Sequence, residues 1–259
     1  MKIGLVVHGG AGNHEAVEEL NQKAEEIREN GFKKLDKGWN AMNVVEECVN
    51  QLESDKRFNA GVGSKLQLDG VPRPEAGIMN SKREIGAVTG LTGIENPTSV
   101  AKKILEEINN NMLGSPYSTQ FANQHGFEKT DLITDERFQQ WQELKNNLSD
   151  QKPMYRQLEE LKQLDDSQNH GTVGCVARDK NGELCAATST GGRIYQGPGR
   201  IGDTPLVGSG FICTDKVAVS TTGVGEAIMK TQLSRTVVEK HKFNNLDEAL
   251  KEALDELSE

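Results

Sequence analysis

Two apolar runs joined by a turn sequence constrain the fold of this chain more than any other feature. The first run, "TVGCVARD", starts at Thr172, and the second, "GELCAATST", ends at Thr190, with Asp-Lys-Asn-Gly between them. Short β-rich runs on either side of an Asn-Gly pair predict a β-hairpin. Two later runs, "GFICTD" and "KVAVSTTG", follow the same pattern. The second half of the chain is therefore predicted to form antiparallel sheet, followed by helices near residues 226–240 and 246–257.

The first half of the chain mixes β-rich runs with helical patterns. A strand is predicted over residues 3–8, and the glycine-punctuated runs "FNAGVGSKLQLDG" and "EAGIMNSKREIGAVTGLTG" predict more strands. Apolar spacing predicts helices over about residues 15–28 and 38–52. Another helix is predicted to begin at Asn96-Pro97, because proline fits the first turn of a helix. Strands and helices alternating in this way indicate a mixed α/β fold.

A polar segment over about residues 109–171 divides the two halves. It is rich in Gln, Glu, Lys and Asn, and it shows helical patterns over residues 135–148 and 155–164. Such composition is typical of a solvated surface or a connector. We therefore expect the chain to consist of two structured halves around this connector.

The acidic balance of the chain limits its partners. With 39 acidic and 30 basic residues, the formal net charge is −9, which disfavours nucleic acids and anionic membrane surfaces. No apolar run reaches the roughly 18 to 20 residues of a membrane span, and the N-terminal run is too short for a signal peptide. We therefore expect a cytoplasmic protein that acts on a small molecule or a dipeptide.

Four other sequence features do not indicate a function of their own. Residues 197–202, "GPGRIG", match the GxGxxG dinucleotide pattern, but Pro198 interrupts it and no helix is predicted after it. Ser99 and Lys102 match SxxK without the partner motifs of penicillin-binding enzymes. The histidines lack the spacing of a catalytic zinc site, and the four cysteines lack CxxC spacing, which predicts buried free thiols. No cofactor is expected for catalysis.

Six segments, taken together and in order, resemble one family. They are "HGGAG", "FNAGVGS", "ENP", "HGTVGCVARDKNGELCAATSTGG", "PGRIGDTPLVGSG" and "TTGVGE". This chain is similar, from about Lys2 to about Glu226, to the plant-type L-asparaginases and isoaspartyl aminopeptidases among the N-terminal-nucleophile hydrolases. The resemblance implies a single α/β (α+β) domain over residues 1–259, built as a four-layer αββα sandwich of two antiparallel sheets between helix layers. It also implies hydrolysis of L-asparagine and β-aspartyl dipeptides to release L-aspartate.

The family's nucleophile corresponds to Thr172. A threonine hydroxyl is a weak nucleophile unless a base lies beside it, and an N-terminal threonine carries its own base, an α-amine with a pKa of about 8. The resemblance therefore implies self-cleavage between Gly171 and Thr172, giving an α fragment of residues 1–171 and a β fragment of residues 172–259. Glycine suits the attacked position because a strained backbone is tolerated there.

The resemblance also assigns the residues around the nucleophile. Thr190 is expected to hydrogen-bond near it, and Asn59 to position groups around it. Substrate contacts are expected from the "GRIGD" turn and "TGVG": Arg200 on the α-carboxylate, Asp203 on the α-ammonium, with Ile201, Gly202 and Gly225 beside them, and Thr222 and the Gly223 N–H as the oxyanion hole. The alternative for Arg200 and Asp203 is an ordinary surface ion pair.

A structural sodium ion is a further expectation from the family. Its ligands would be main-chain carbonyls of the loop "LESDKRFNAGV", namely Leu52, Glu53, Asp55, Phe58, Ala60 and Val62. The family also implies a dimer of cleaved αβ units.

The chain departs from the family pattern in two places, and only the second of them favours another function. Glu75 stands where the family commonly has Asp, and the chain ends at Glu259 without the family's further strands, which is expected to expose a sheet edge. The alternatives are a glycosylasparaginase or threonine endopeptidase of the same superfamily, and a non-catalytic truncated homologue acting as a binding or scaffold module.

Overall fold

A computed structural model describes residues 2–12, 17–146, 148, 156–157 and 171–258. These residues form a mixed α/β fold. The strands are β1 (Gly4–His8), β2 (Glu75–Asn80), β3 (Ile85–Val88), β4 (Met112–Leu113), β5 (Val173–Arg178), β6 (Leu184–Thr190), β7 (Phe211–Cys213) and β8 (Ala218–Ser220). The helices are α1 (Val17–Asp36), α2 (Ala41–Glu53), α3 (Pro97–Glu107), α4 (Tyr117–Gln124), α5 (Asp135–Lys145), α6 (Gly225–Thr231), α7 (Leu233–His241) and α8 (Leu246–Ser258).

The larger sheet has the strand order β1-β5-β6-β2-β3-β4. All of its pairs are antiparallel except β3 with β4. The hairpin predicted from the Asn-Gly turn is confirmed: β5 pairs with β6 in a register that places Val173 opposite Ser189 and Arg178 opposite Leu184. This hairpin lies between β1 on one side and β2 on the other, so both of its strands are internal.

Both faces of the larger sheet are buried. One face packs against α1, α2 and α3, and contributes residues such as Cys175, Ala187 and Ile78 to the main core. The opposite face presents Met79 and Ala186 to β7 and β8, which form a separate two-stranded antiparallel sheet. Period-2 alternation requires this division, because neighbouring side chains of a strand point to opposite faces.

Helices α6, α7 and α8 build a second, smaller core with β8. Ile228, Leu233, Val237 and Ala253 are buried there against Val219. One helix was predicted near residues 226–240, but the structure has two, because Gln232 between them adopts a left-handed conformation with φ of 48°.

The segment after α2 corrects one prediction. Residues 58–70, "FNAGVGSKLQLDG", were expected to form strands, but they form turns, with an isolated bridge between Leu66 and Pro72. Gly61 and Gly63 have φ values of 48° and 95°, which no regular strand contains. The prediction of a helix at Asn96-Pro97 is confirmed, since α3 starts at Pro97.

The described part of the polar connector holds regular structure. Strand β4 and helices α4 and α5 lie between residues 109 and 146, and Thr134 caps α5 by accepting a hydrogen bond from the Arg137 N–H. The helical pattern over residues 155–164 lies almost wholly outside the described residues. The four cysteines are free and buried, as predicted. No helix within the described ranges is both long and apolar enough to cross a membrane.

Candidate active site

Thr172 stands immediately before β5, at the strand end that lies next to the glycine-rich loops. It is 7% exposed, and its Oγ1 lies 3.4 Å from Oγ1 of Thr204. Because β5 is held between β1 and β6, the backbone that follows Thr172 is fixed within the sheet. A hydroxyl in such a position can be aimed at a reacting group without further ordering.

Seven of the predicted catalytic, substrate-binding and cleavage-site residues line one cleft, which we call the Thr172 cleft. Its lining residues are Gly171, Thr172, Thr190, Gly192, Arg193, Arg200, Asp203, Thr204, Gly223 and Gly225. While the peptide bond between Gly171 and Thr172 is intact, the free volume of the cleft is about 20 Å³. This is room for about one water molecule. The cleft is therefore too small for a ligand larger than water while these two residues remain joined.

Gly171 is enclosed by two other segments of the chain. A Cβ placed on Gly171 would lie 3.0 Å from Cβ of Asn59, and one placed on Gly10 would lie 2.7 Å from Cα of Gly171. Asn59 is 2% exposed; its Nδ2 donates to the Gly192 carbonyl at 2.7 Å, and its Oδ1 accepts from the Lys65 N–H at 3.0 Å. The Asn59 side chain thus connects the junction at Gly171 with the loop that follows Thr190.

Arg200 is held by carboxylate and amide oxygens. Its Nε and Nη2 donate to Oε1 of Glu226 at 3.0 and 2.9 Å, and its Nη1 donates to Oε1 of Gln196 at 3.1 Å. Asp203 is 5% exposed, and its Oδ2 has no hydrogen-bond partner among the described residues. The alternative of a surface ion pair between Arg200 and Asp203 is wrong, because Arg200 pairs with Glu226 and Asp203 is buried in the cleft.

Gly225 leaves room beside both of these side chains. A Cβ at this position would lie 2.6 Å from Oδ1 of Asp203 and 2.9 Å from Nη2 of Arg200. Glycine therefore keeps a guanidinium and a carboxylate open to the same space. The pair can receive a ligand that carries a carboxylate next to an ammonium group.

Burial dominates the electrostatics of the cleft. It raises the pKa of Asp203 to about 6 and that of Glu75 to about 7, against the opposing effects of backbone N–H donors and of Arg200. The pKa of Glu226 is lowered from its usual value, because the charge and hydrogen bonds of Arg200 outweigh the effect of burial. Glu226 is therefore the carboxylate that neutralises Arg200.

Glu75 supports the "GRIGD" turn. It is 1% exposed, at the start of β2, and its Oε2 accepts from the Gly202 N–H at 3.0 Å. This bond fixes the turn between Arg200 and Asp203. The neighbouring Ile201 is exposed outward.

The remaining predicted residues lie around the cleft. Oγ1 of Thr190 accepts from the Gly192 N–H at 3.1 Å. Oγ1 of Thr222 is buried and has no partner in the described part of the chain. Gly223 lines the cleft with φ of 149°. Both Thr222 and Gly223 stand in the turn between β8 and α6.

His8 is the last residue of β1, and it was not predicted as a site residue from the sequence. Its Nε2 is 2.6 Å from Oγ of Ser220. Burial lowers the pKa of His8 to about 4, against a smaller opposing effect of the Thr172 backbone. The imidazole is therefore neutral at neutral pH and links the end of β1 to the end of β8.

The loop after α2 presents several of the predicted carbonyls. Those of Leu52, Glu53 and Asp55 accept backbone N–H groups of the same loop, and the carbonyl oxygen of Phe58 would lie 2.8 Å from a Cβ at Gly63. Three of the predicted carbonyls are therefore already engaged in hydrogen bonds within the loop. No cluster of three or more His, Cys, Asp or Glu side chains suited to a metal ion occurs in the described ranges.

A family model described as asparaginase matches residues 1–259. The chain belongs to the asparaginase family. It is 38% identical to a plant-type L-asparaginase of Pyrococcus abyssi over 99% of this chain and 85% of that protein. It is also 38% identical to an isoaspartyl peptidase/L-asparaginase of Danio rerio, over 90% of this chain and 74% of the relative. An isoaspartyl peptidase of Salmonella typhimurium is 34% identical over 95% of this chain and 80% of that protein.

Four residues in the cleft or in contact with its surroundings were not predicted from the sequence. Thr204 and Arg193 line the cleft, Glu226 pairs with Arg200 and Arg193, and His8 contacts Ser220. His8, Thr204 and Glu226 lie inside the quoted segments "HGGAG", "PGRIGDTPLVGSG" and "TTGVGE". Position inside a motif was therefore the signal available for these three, whereas Arg193 had none beyond following "TSTGG".

Proposed function

We propose that this chain is a self-cleaving amidohydrolase that releases L-aspartate from L-asparagine and β-aspartyl dipeptides, with Thr172 as nucleophile. One observation carries the proposal. The Thr172 hydroxyl shares a narrow cleft with Arg200 and Asp203, which together can hold the α-amino-acid end of an aspartyl group. The names of the relatives, L-asparaginase and isoaspartyl peptidase, support the same chemistry.

Self-cleavage comes first in the proposed sequence. Oγ1 of Thr172 attacks the carbonyl carbon of Gly171, and the C–N bond breaks as the nitrogen takes up the hydroxyl proton, leaving an ester. Water then hydrolyses the ester, freeing the Gly171 carboxylate and the Thr172 hydroxyl. Residues 1–171 and 172–259 become two fragments of one domain, and Thr172 gains an α-amine that serves as its base. The enclosure of Gly171 by Gly10 and Asn59 supports a fixed geometry for the first attack.

Substrate hydrolysis then uses the same hydroxyl. The α-amine takes the proton of Oγ1, which attacks the side-chain carbonyl carbon of the substrate; the amide nitrogen leaves with that proton as ammonia or an amino acid. Water hydrolyses the resulting ester to L-aspartate. Arg200 would pair with the substrate α-carboxylate and Asp203 with its ammonium. The Thr222 hydroxyl and the Gly223 N–H would stabilise the oxyanion, and a donor of this kind contributes about 3 kcal/mol.

The finer architecture is part of the proposal. We propose four layers, with helices α1–α3, the larger sheet, the β7–β8 sheet and helices α6–α8 in succession. The division of the sheet residues between two cores and the packing of α7 on β7 and β8 support it. We also propose a dimer of cleaved αβ units and a cytoplasmic location, both of which rest on the family resemblance.

We propose a sodium ion in the loop of residues 52–62, held by main-chain carbonyls. Its role would be to fix the loop that carries Asn59 into the cleft. The unfolding temperature should then be higher in sodium chloride than in choline chloride at equal ionic strength. Equal unfolding temperatures in the two salts would exclude the ion.

Mass spectrometry after denaturing electrophoresis tests the nucleophile. The wild-type chain should give two fragments that meet between Gly171 and Thr172, together with hydrolysis of β-aspartyl dipeptides, and Thr172→Ala should give one chain without activity. Thr214→Ala is a matched control, because that threonine lies in the turn between β7 and β8. An uncut wild-type chain that hydrolyses these substrates would overturn the proposal, and an uncut, inactive chain would favour a scaffold.

A further inference from the structure

Two guanidinium groups meet at one carboxylate in the Thr172 cleft. Arg200 donates from Nη2 to Oε1 of Glu226 at 2.9 Å, and Arg193 donates from Nη1 to Oε2 of the same residue at 3.1 Å. Both arginines line the cleft. The proposed grip on an α-amino-acid group requires Arg200 and Asp203 alone. The second cation therefore has no role in the mechanism given above.

Arg193 is fixed to the same framework as the catalytic residues. Its backbone N–H donates to Oε1 of Gln196 at 2.9 Å, and Gln196 also accepts from Arg200 at 3.1 Å. The residue before it, Gly192, is held by the Asn59 side chain. The Arg193 side chain is 33% exposed, so it stands where the cleft opens to solvent. Its position relative to Thr172 is thus set by several hydrogen bonds.

The two proposed substrates differ in the number of carboxylates they present. In a β-aspartyl dipeptide, the aspartyl α-carboxylate is three bonds from the attacked carbonyl carbon. The carboxylate of the leaving amino acid is also three bonds from that carbon, on the other side. L-Asparagine has the first carboxylate only, because its leaving group is ammonia. With two guanidinium groups lining the cleft of one nucleophile, each carboxylate of the dipeptide has a cationic group to pair with.

We propose that Arg193 binds the C-terminal carboxylate of the leaving residue and makes the cleft selective for β-aspartyl dipeptides over L-asparagine. This inference rests on the proposed function and names its preferred substrate class. A guanidinium carries five N–H donors, so Arg193 can donate to Glu226 and to a substrate carboxylate at the same time. Arg200 would remain on the aspartyl α-carboxylate, so the two arginines hold the two ends of the substrate.

Kinetic measurements that combine changes at Arg193 with changes in the substrate test this assignment. The value of kcat/KM is measured for β-aspartyl-leucine, β-aspartyl-leucinamide and L-asparagine, with the wild type and Arg193→Met. The amide keeps the shape of the dipeptide but lacks its terminal carboxylate. Arg193→Met should lose about 10- to 100-fold more on the dipeptide than on the other two substrates, as expected for removal of a charge-assisted hydrogen bond. Arg193→Lys should retain part of the preference.

The matched control is Arg235→Met. Arg235 is exposed on α7, pairs with Glu239 and lies outside the Thr172 cleft, so all three values should stay at the wild-type level. Equal losses of Arg193→Met on the three substrates would overturn the assignment, because Arg193 would then act only by holding Glu226. An unchanged dipeptide value would overturn it as well. A wild type inactive on all three would instead refute the proposed function together with this inference.

If Arg193→Met fails to cleave itself, Arg193→Gln provides a second test, since it keeps a polar side chain beside Glu226. Unfolding temperature and the fraction of cleaved chain show whether each variant is folded. A selective loss on the dipeptide supports the assignment in either variant, and a uniform loss in both contradicts it.

Discussion

Gly10 packs against Gly171 so closely that a Cβ on Gly10 would lie 2.7 Å from the Gly171 Cα. The loop after β1 therefore presses on the residue whose carbonyl Thr172 is proposed to attack. Any side chain at residue 10 must displace one of the two backbones. Geometry at the junction thus depends on a segment far away in sequence.

Gly10→Ala should slow self-cleavage about 10- to 100-fold, because a misplacement of about 1 Å can cost about two orders of magnitude in rate. The measurement is the fraction of cleaved chain over time. Gly38→Ala is the control: Gly38 also has a positive φ, 93° against 119° at Gly10, but a Cβ there meets nothing within 4 Å. A cleavage rate of Gly10→Ala equal to that of Gly38→Ala would contradict a role for the contact with Gly171.

Glu53→Gln should change how stability depends on pH. Glu53 is fully buried and accepts from the Thr98 N–H at 3.0 Å and the Thr98 hydroxyl at 2.6 Å. Burial raises its pKa from 4.5 to about 7, so the folded state holds a proton that the unfolded state releases above pH 4.5. Wild-type stability should therefore fall as pH rises from about 4.5 to about 7.

Glu53→Gln should remove this contribution to the fall in the free energy of unfolding. The contribution is at most roughly 3 kcal/mol between pH 4.5 and pH 7. Urea unfolding at pH 5 and pH 8 measures it. Glu47→Gln, on the half-exposed side of α2, should leave the pH dependence close to that of the wild type. Parallel curves for the wild type and Glu53→Gln would contradict the buried proton.

Gly77→Ala should destabilise the fold by about 1–3 kcal/mol through overpacking. A Cβ at Gly77 would overlap the ring of Phe211, which is fully buried between the two sheets. Gly4→Ala, where a Cβ meets nothing within 4 Å, should cost much less. Similar free energies of unfolding for the two variants would argue against close packing of β7 on β2.

Binding of L-aspartate to the cleaved protein should weaken below pH 6. Burial raises the pKa of Asp203 to about 6, and protonation removes the charge that would pair with the ammonium group. The inhibition constant of L-aspartate should rise about tenfold per pH unit below that value. Asp203→Asn should bind weakly throughout, without the break near pH 6. A break retained in that variant would assign the titration to another group.

The parts of the fold set by local sequence were predicted well. The Asn-Gly turn specified the β5–β6 hairpin, and Pro97 marked the start of α3. The loop of residues 58–70 was misassigned because its apolar residues alternate like a strand while its glycines require turns. The residues that support the cleft, such as Glu226 on Arg200 and His8 on Ser220, do so through contacts between distant segments, which no local pattern encodes.

The strand order has a consequence for the severed protein. The β5–β6 ladder comes from one side of the proposed scission point, yet it is flanked by β1 and β2 from the other side. Losing one peptide bond would leave these hydrogen-bonded ladders intact. The two fragments would remain associated through the shared sheet, and separating them would require unfolding that sheet.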